Sequence, residues 1–564
     1  MQAARRLYVY AMAGITLAVI AFGLMTLIEV AISASGLLER PFDGGISNSR
    51  ERLSLAVAML GVGVPVWAIH WWWVQRGLAP GKPNRDAEHG SAIRAGFLSL
   101  VLLVSLLAWV SAASTLVWSL IWIAAGGEST FFYVDQVGAT STAAVGFIVW
   151  LYHGSVRRGD LGDWPVSGAA AWLPRLYLYG VSLAGLVIAL TSLQSSVSSV
   201  LVPEFDEGYA RQAAIQGSVS FAAWAVVWAA HWRYATRLAG SAGWRGVEEQ
   251  TSRMRLGAFI ATIVVAAGFS ISAISELAQG VLAPMLGDVP YDRDVTFQLV
   301  IRPLASAIPW TVVWWLHVRW LRDEPAAAGP LRALHQVRLV NHGQAAIALA
   351  FGATGLGWVL GLAIDIAFGG TRRSDQFGIP WTFELARWLP MAVAGLAVWA
   401  WHWSRVLARH RSDPDGEAAS TIRRAFLYLT LGVGVVVGLA SATLILYRLV
   451  GSILGAQLSG NAVSELSTPL GAAMMAAVAL AYHGRLLRAD TARGPVTAQA
   501  ESAERLAELT AAAELTIELT EGVTVTEVRR PLDLVGPEGA DLDAAIMAAG
   551  AALPPGIRLV PREP

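Results

Sequence analysis

The chain has 564 residues, of which 55% are hydrophobic and only 15% charged, and its formal net charge is zero. Together with a mean hydropathy of +0.51, this composition is more apolar than that of ordinary soluble domains. The absence of cysteine excludes disulfides, thiolate metal sites, iron–sulfur clusters and cysteine nucleophiles. The composition therefore favours an integral membrane protein.

Long apolar stretches follow one another along most of the chain. A hydrocarbon core about 30 Å thick requires about 20 apolar residues per helix, and the stretches are apolar on every face, which indicates helices. The predicted spans are residues 7–34, 53–75, 94–125, 138–156, 174–202, 212–236, 255–286, 297–320, 338–368, 384–409, 424–455 and 467–487. The fold class is thus an all-α membrane protein with about twelve transmembrane helices.

The odd-numbered spans open with the same short pattern. A basic residue precedes an aliphatic or aromatic run in each of them, as in Arg6-Leu7-Tyr8. The opening residues are Arg6, Arg94, Arg175, Arg255, Arg338 and Arg424.

The even-numbered spans close with tryptophan three residues before histidine. The pairs are Trp67 and His70, Trp150 and His153, Trp228 and His231, Trp314 and His317, and Trp399 and His402, while the sixth copy keeps His483 but has Leu480. Successive motif histidines are 78 to 86 residues apart, which predicts six parallel helical-hairpin repeats. The predicted boundaries are 1–80, 81–160, 161–240, 241–325, 326–412 and 413–490, followed by a small domain at 491–564.

Arginines cluster in the connections between the repeats, whereas acidic residues occupy the loops within them. By the positive-inside rule, the connections and both termini face the cytoplasm. The apolar segment after Arg5 and Arg6 reads as a retained helix rather than a signal peptide. The expected location is the cell inner membrane.

The Trp-x-x-His motif has two readings. Residues three apart lie on one face of a helix, so tryptophan and histidine fit an aromatic belt at the membrane interface. Alternatively, six histidines at equal depth resemble axial ligands of b-type haem. Crowding by neighbouring aromatic residues favours the belt, and the expected cofactor is none, with haem b as the alternative. A zinc site would need further ligands from separate repeats.

Charged residues of opposite sign face each other across the loops within the repeats. The candidate outer ion pairs are Glu29 with Arg52, Glu276 with Arg302, Asp365 with Arg387, and Arg448 with Glu465. In the last pair the order of the signs is reversed, which indicates contact. A structural clasp is favoured over a proton relay, since clear charges in the middle of the spans are missing.

Residues 491–564 differ from the rest of the chain in composition. Their pattern predicts a small acidic α+β domain on the cytoplasmic side. The acidity argues against nucleic acid and anionic lipid as partners. The expected partners are the lipid bilayer and, through this tail, a membrane or cytoplasmic protein.

Three stretches carry a family resemblance: RRLYVYAMAGITLAVIAFGL, VPVWAIHWWWVQR and RLYLYGVSLAGLVIAL. They resemble the bacterial multi-pass membrane domain-of-unknown-function family 5671. The resemblance is expected to reach to about residue 490 and to be closest in the first and third repeats, with departures at Val340, Asn341 and Leu480. It implies a bacterial multi-pass membrane protein and supplies no catalytic residue.

Three classes of function remain open from the sequence. A structural or signalling membrane module without enzymatic chemistry needs the fewest assumptions. A small-solute or ion transporter or channel is the alternative, and a b-haem electron carrier is the third.

Overall fold

A computed structural model describes most of the chain up to Ala492. The described residues are 2–35, 49–79, 81–82, 85–127, 136–160, 168–201, 207–286, 293–324, 329–369, 380–454 and 462–492. The predicted α+β domain at 491–564 therefore lies outside them, apart from the two residues that close the last helix.

Every regular element in these ranges is a helix. The long helices are α1 (Gln2–Ser35), α2 (Ser49–Gly77), α4 (Ala92–Ala124), α5 (Gln136–Asp160), α6 (Gly168–Leu201), α7 (Glu207–Ala239), α9 (Arg253–Met285), α10 (Arg293–Asp323), α11 (Gly329–Ala367), α12 (Trp381–Ser412), α14 (Thr421–Ile453) and α15 (Ala462–Ala492). Three short helices connect them, namely α3 (Arg85–His89), α8 (Trp244–Thr251) and α13 (Pro414–Ala419).

Eleven of the long helices are long and apolar enough to cross a membrane. The exception is α5, whose first half carries Thr140, Ser141 and Thr142 and whose second half carries His153. These polar residues lower its hydropathy although its length of 25 residues suffices for a span. The multi-pass membrane class predicted from the sequence is thus confirmed, with eleven clear spans against about twelve predicted.

Each long odd-numbered segment packs along the one that follows it, so that the helices form hairpins: α1 with α2, α4 with α5, α6 with α7, α9 with α10, α11 with α12, and α14 with α15. Glycines permit the closest of these contacts. In the hairpin α6–α7, a Cβ on Gly185 would lie 3.2 Å from the backbone nitrogen of Trp228. Small residues let two membrane helices approach until their backbones touch.

The hairpins lie side by side. The helix α4 packs against α6 and α7, and α9 packs against α11 and α12, so that the second hairpin contacts the third and the fourth contacts the fifth. The first and second hairpins are joined through α1 with α5, and the fifth and sixth through α11 with α15. All six connections between hairpins lie at one end of this assembly, which we call the arginine end. The opposite end is called the far end.

Candidate functional site

The arginine end is crossed by six ion pairs. One arginine near the start of the first helix of each hairpin binds a carboxylate. The pairs are Arg6–Glu88 at 2.7 Å, Arg94–Asp160 at 2.7 Å, Arg175–Glu249 at 2.8 Å, Arg255–Glu324 at 2.5 Å, Arg338–Glu417 at 2.8 Å and Arg423–Asp490 at 2.7 Å.

The position of the carboxylate alternates along the chain. In the first, third and fifth hairpins it belongs to a short connecting helix, α3, α8 or α13. In the second, fourth and sixth hairpins it lies at the end of the second long helix of the same hairpin. The first kind of pair fixes a connection to the helix before it, and the second kind closes a hairpin.

A tyrosine joins the two kinds of pair. The Tyr10 hydroxyl donates to Glu88 at 2.8 Å and accepts from Arg94 at 3.1 Å. The Tyr179 hydroxyl likewise donates to Glu249 at 2.5 Å and accepts from Arg255 at 3.3 Å. Two continuous networks result, each linking two hairpins. In the fifth hairpin His342 takes the tyrosine position, and its Nδ1 donates to the Arg338 carbonyl at 2.8 Å.

The ion pairs differ widely in exposure. The side chains of Arg423 and Asp490 are 0% and 2% exposed, whereas those of Arg6 and Glu88 are 22% and 14% exposed. The sixth opening residue is therefore Arg423, not Arg424 as the sequence pattern predicted. The Arg424 Nε instead donates to the Ala418 carbonyl at 3.1 Å.

His89 belongs to the same network, at the end of α3. Its Nδ1 lies 3.6 Å from Asp160 Oδ1. Burial lowers the pKa of the His89 imidazole, and the Asp160 carboxylate opposes that shift. The neutral imidazole is favoured by this position.

The motif histidines are held by their own helices. In five of them Nδ1 donates to the carbonyl four residues earlier, at 2.7 to 3.0 Å: His70, His153, His231, His317 and His483. In the sixth, His402, Nδ1 lies 3.0 Å from Asn341 Oδ1. Because a carbonyl only accepts, these five imidazoles carry their proton on Nδ1 when neutral.

The histidines of the second, fourth and sixth hairpins are enclosed. The side chains of His153, His317 and His483 are 1 to 2% exposed, and their Nε2 atoms have no hydrogen-bond partner. Each imidazole packs against the tryptophan that follows the motif histidine of the preceding hairpin and against a phenylalanine of its own hairpin. These partners are Trp71 and Phe97, Trp232 and Phe259, and Trp403 and Phe426, with ring centroids 5.4 to 6.3 Å from the imidazoles.

A small cavity of about 10 Å³ adjoins one of these imidazoles. Its lining includes His317, Ser182, Thr262 and Tyr179. The Ser182 hydroxyl is buried without a partner, as is His317 Nε2. A volume of this size holds about one water molecule.

The surroundings of the motif histidines do not fit a haem. The imidazole of His153 has three aromatic ring centroids within 6.2 Å, those of Trp71, Phe97 and Tyr152. An axial ligand of haem needs a wide, flat space beside its free nitrogen. Across the described ranges, no three His, Asp or Glu side chains converge in a way that could hold a metal ion.

The tryptophans that face outward are not those of the Trp-x-x-His motif. Trp72, Trp315 and Trp401 are 53%, 57% and 60% exposed. In each case an arginine four residues later lies over the ring, at 4.5 to 5.6 Å from its centroid: Arg76, Arg319 and Arg405. The interfacial belt expected from the motif is thus formed by its neighbours, while the motif histidines of the even hairpins lie inside the protein.

Two of the four predicted outer pairs are in contact at the far end. Arg52 donates to Glu29, and Arg448 lies 2.6 Å from Glu465. Glu29 also accepts a hydrogen bond from Ser141 at 3.1 Å, which ties α1 to α5.

The other two acidic residues have different surroundings. Glu276 is exposed and accepts from Ser272 on its own helix at 3.1 Å; no contact is assigned here to Arg302. Asp365 is fully buried and neither of its oxygens has a hydrogen-bond partner. Its expected partner Arg387 instead lies over the Trp388 ring, at 4.9 Å from the centroid.

Sequence patterns mark the partners of the arginines, although they were not recognised. The acids Glu88, Glu249 and Glu417 each lie six residues before an arginine of an even hairpin, and Asp160, Glu324 and Asp490 each lie seven residues after a motif histidine. Both patterns recur about every 165 residues rather than every 80. A search for one repeat of about 80 residues passes over them.

Comparison with known proteins gives one match. Two segments, residues 6–142 and 338–478, match the family described as domain of unknown function (DUF5671). They begin in α1 and α11 and end within α5 and α15, so the third hairpin, where a close resemblance was expected, lies outside them. No curated protein and no solved structure matches the chain. The expected resemblance is confirmed: the chain carries the domain of unknown function DUF5671 in two separate segments.

Proposed function

We propose that this protein is a structural or signalling module of the cell inner membrane that performs no enzymatic chemistry. The observation that carries this proposal is the set of six arginine–carboxylate pairs at the arginine end. Each pair joins two elements, and five of the six arginine side chains are less than 20% exposed. Pairs of this kind hold helices in one arrangement, since separating them leaves a charge without its partner.

We place the arginine end and both termini in the cytoplasm. The excess of arginine in the connections supports this orientation. The acidic tail after Ala492 then lies on the same side as the connections, where it is available to a cytoplasmic or membrane protein partner. Its charge disfavours nucleic acid.

We also propose that the module consists of three four-helix units, each made of two hairpins. The alternation of the ion pairs supports this unit, because it repeats only after two hairpins. The matched family segments support it independently, because each begins in the first helix of such a unit and ends within the fourth.

Transport of a small ion is the second candidate function, and Asp365 is the observation that favours it. Buried carboxylates within membrane helices often mark ion paths. The polar residues that could continue such a path are not assembled around it, since Glu276 is exposed and the small cavity beside His317 is lined by neither.

Distance measurements on the reconstituted protein test the proposal. The chain lacks cysteine, so spin labels can be placed selectively at Ser155 on α5 and Ser404 on α12, both exposed near the arginine end. We expect a single narrow distance distribution that is the same with and without sodium, potassium or proton gradients across the vesicle. The variant Glu417→Gln, which removes the partner of Arg338, should broaden the distribution and serves as the positive control.

Ion flux into the same vesicles is measured in parallel with fluorescent indicators. A scaffold gives no flux above that of protein-free vesicles. Gradient-dependent shifts of the distance distribution together with flux would overturn the proposal in favour of transport.

A further inference from the structure

Asp365 is a carboxylate that lacks any counter-charge at the far end of α11. It is 0% exposed, and both of its oxygens are without a hydrogen-bond partner. Burial of a carboxylate away from water and away from donors is strongly unfavourable. The carboxylate therefore calls for a ligand that the described side chains do not supply.

The neighbouring helix is α15, and it approaches α11 one turn away from Asp365. A Cβ on Gly361 would lie 2.9 Å from the Ser467 carbonyl oxygen and 3.0 Å from the Thr468 Cα. Gly357, one turn earlier on α11, meets Gly471. Residue numbers rise on one helix as they fall on the other, so the two helices are antiparallel.

The antiparallel arrangement brings the side chains of Asp365 and Thr468 toward each other. The Cα of Asp365 lies about 6 Å beyond that of Gly361 along the axis. The Cα–Cβ bond of every helical residue tilts toward the N-terminus of its helix. Asp365 therefore leans toward the level of Gly361, while Thr468, on the opposite helix, leans toward the level of Asp365.

A second polar group at this crossing is also without a partner. The Thr468 hydroxyl oxygen is buried and makes no hydrogen bond. The helix α11 ends at Ala367, and the carbonyls of a helix C-terminus carry a negative partial charge. The groups gathered here are all oxygens, namely carboxylate, hydroxyl and backbone carbonyl, which are the ligands of hard cations.

We propose that Asp365 and Thr468 form a binding site for a small monovalent cation between α11 and α15. The charge of the site decides between one and two positive charges. The nearest acid on α15, Glu465, is already balanced by Arg448 at 2.6 Å, so a single negative charge is left to neutralise. The close glycine contacts leave little width between the helices, which favours an ion the size of sodium.

Thermal unfolding of the purified full chain in detergent tests the site, with sodium, potassium and choline chloride at equal ionic strength. Binding to the folded state raises Tm as the ligand concentration rises. We expect a saturable rise on the order of 2 °C in sodium over choline. Asp365→Asn should abolish the rise, and Thr468→Val should shift its midpoint to several-fold higher sodium.

The matched control is Glu384→Gln, an acid on α12 whose carboxylate already accepts from Trp388 Nε1 at 2.7 Å. It should retain the full response to sodium. Equal Tm values in sodium and choline, or a sodium response that survives Asp365→Asn, would each overturn the site. Because this experiment needs no membrane and the flux experiment does, binding without flux leaves the scaffold standing, and flux without binding removes the scaffold alone.

Discussion

Removing the acid from the most buried ion pair is expected to be costly. Arg423 and Asp490 are 0% and 2% exposed, with Nε and Oδ2 2.7 Å apart. The change Asp490→Asn keeps the shape of the side chain and leaves the guanidinium without a counter-charge. Arginine remains protonated in proteins, and Arg423 Nη1 has no hydrogen-bond partner even in the intact protein. Loss of one member of such a buried pair costs about 3–5 kcal/mol.

The chain offers a matched control at the same end of the helices. Arg319 and Asp323 lie 3.9 Å apart and are 64% and 69% exposed. Removing the acid there by Asp323→Asn should cost at most about 0.5 kcal/mol, because water screens an exposed pair. The free energy of unfolding is compared by titration with sodium dodecyl sulfate in mixed micelles. Equal losses in the two variants would refute the assignment of the buried pairs as the element that holds the helices.

A double variant separates pairing from packing. If the penalty of Asp490→Asn reflects the unpaired guanidinium, then Arg423→Met combined with Asp490→Leu should recover most of the lost stability, because an apolar pair of similar volume replaces the charges. Losses that simply add would mean that the two side chains contribute independently.

Two further predictions concern topology and the histidines. With the arginine end in the cytoplasm, a cysteine at Ser49 should react with an impermeant thiol reagent added to intact cells, and one at Ser412 should react only after permeabilisation; the reverse pattern would invert the proposed orientation. His153→Gln should lower stability by about 1–3 kcal/mol, because it places an amide with additional polar atoms in an enclosed aromatic site, whereas His231→Gln should cost less, since that imidazole is only half-buried; thermal unfolding in detergent that ranks the two the other way would contradict the burial argument.

The membrane class and the helices could be predicted from composition and hydropathy alone. Apolar runs of sufficient length have few alternatives in a bilayer, because every backbone group must be satisfied within its own segment. The predicted spans 7–34 and 338–368 lie within α1 and α11, which extend beyond them at the arginine end. The extensions carry the arginines, whose charge ends a hydropathy window before it ends a helix.

The candidate site could be predicted only in part. The recurrence of histidine was visible, but its burial was not, because the enclosing tryptophan belongs to another hairpin, as Trp71 does for His153. The belt interpretation assigned the histidines to the interface on the basis of depth along the helix. Depth does not distinguish the face toward lipid from the face toward protein, and that face depends on packing between hairpins.

The four-helix unit explains why the arginine partners alternate. A carboxylate on a connecting helix can reach only the hairpin before it, and one at the end of a hairpin can reach only its own opening arginine, so one of each kind closes a unit of two hairpins. The bridging hydroxyls of Tyr10 and Tyr179 couple the two closures in the first and second units. In the third unit His342 occupies that position and bonds its own helix instead. Its two ion pairs therefore lack the bridge, and this unit, which also contains Asp365, is the one in which the hairpins are joined least tightly at the arginine end.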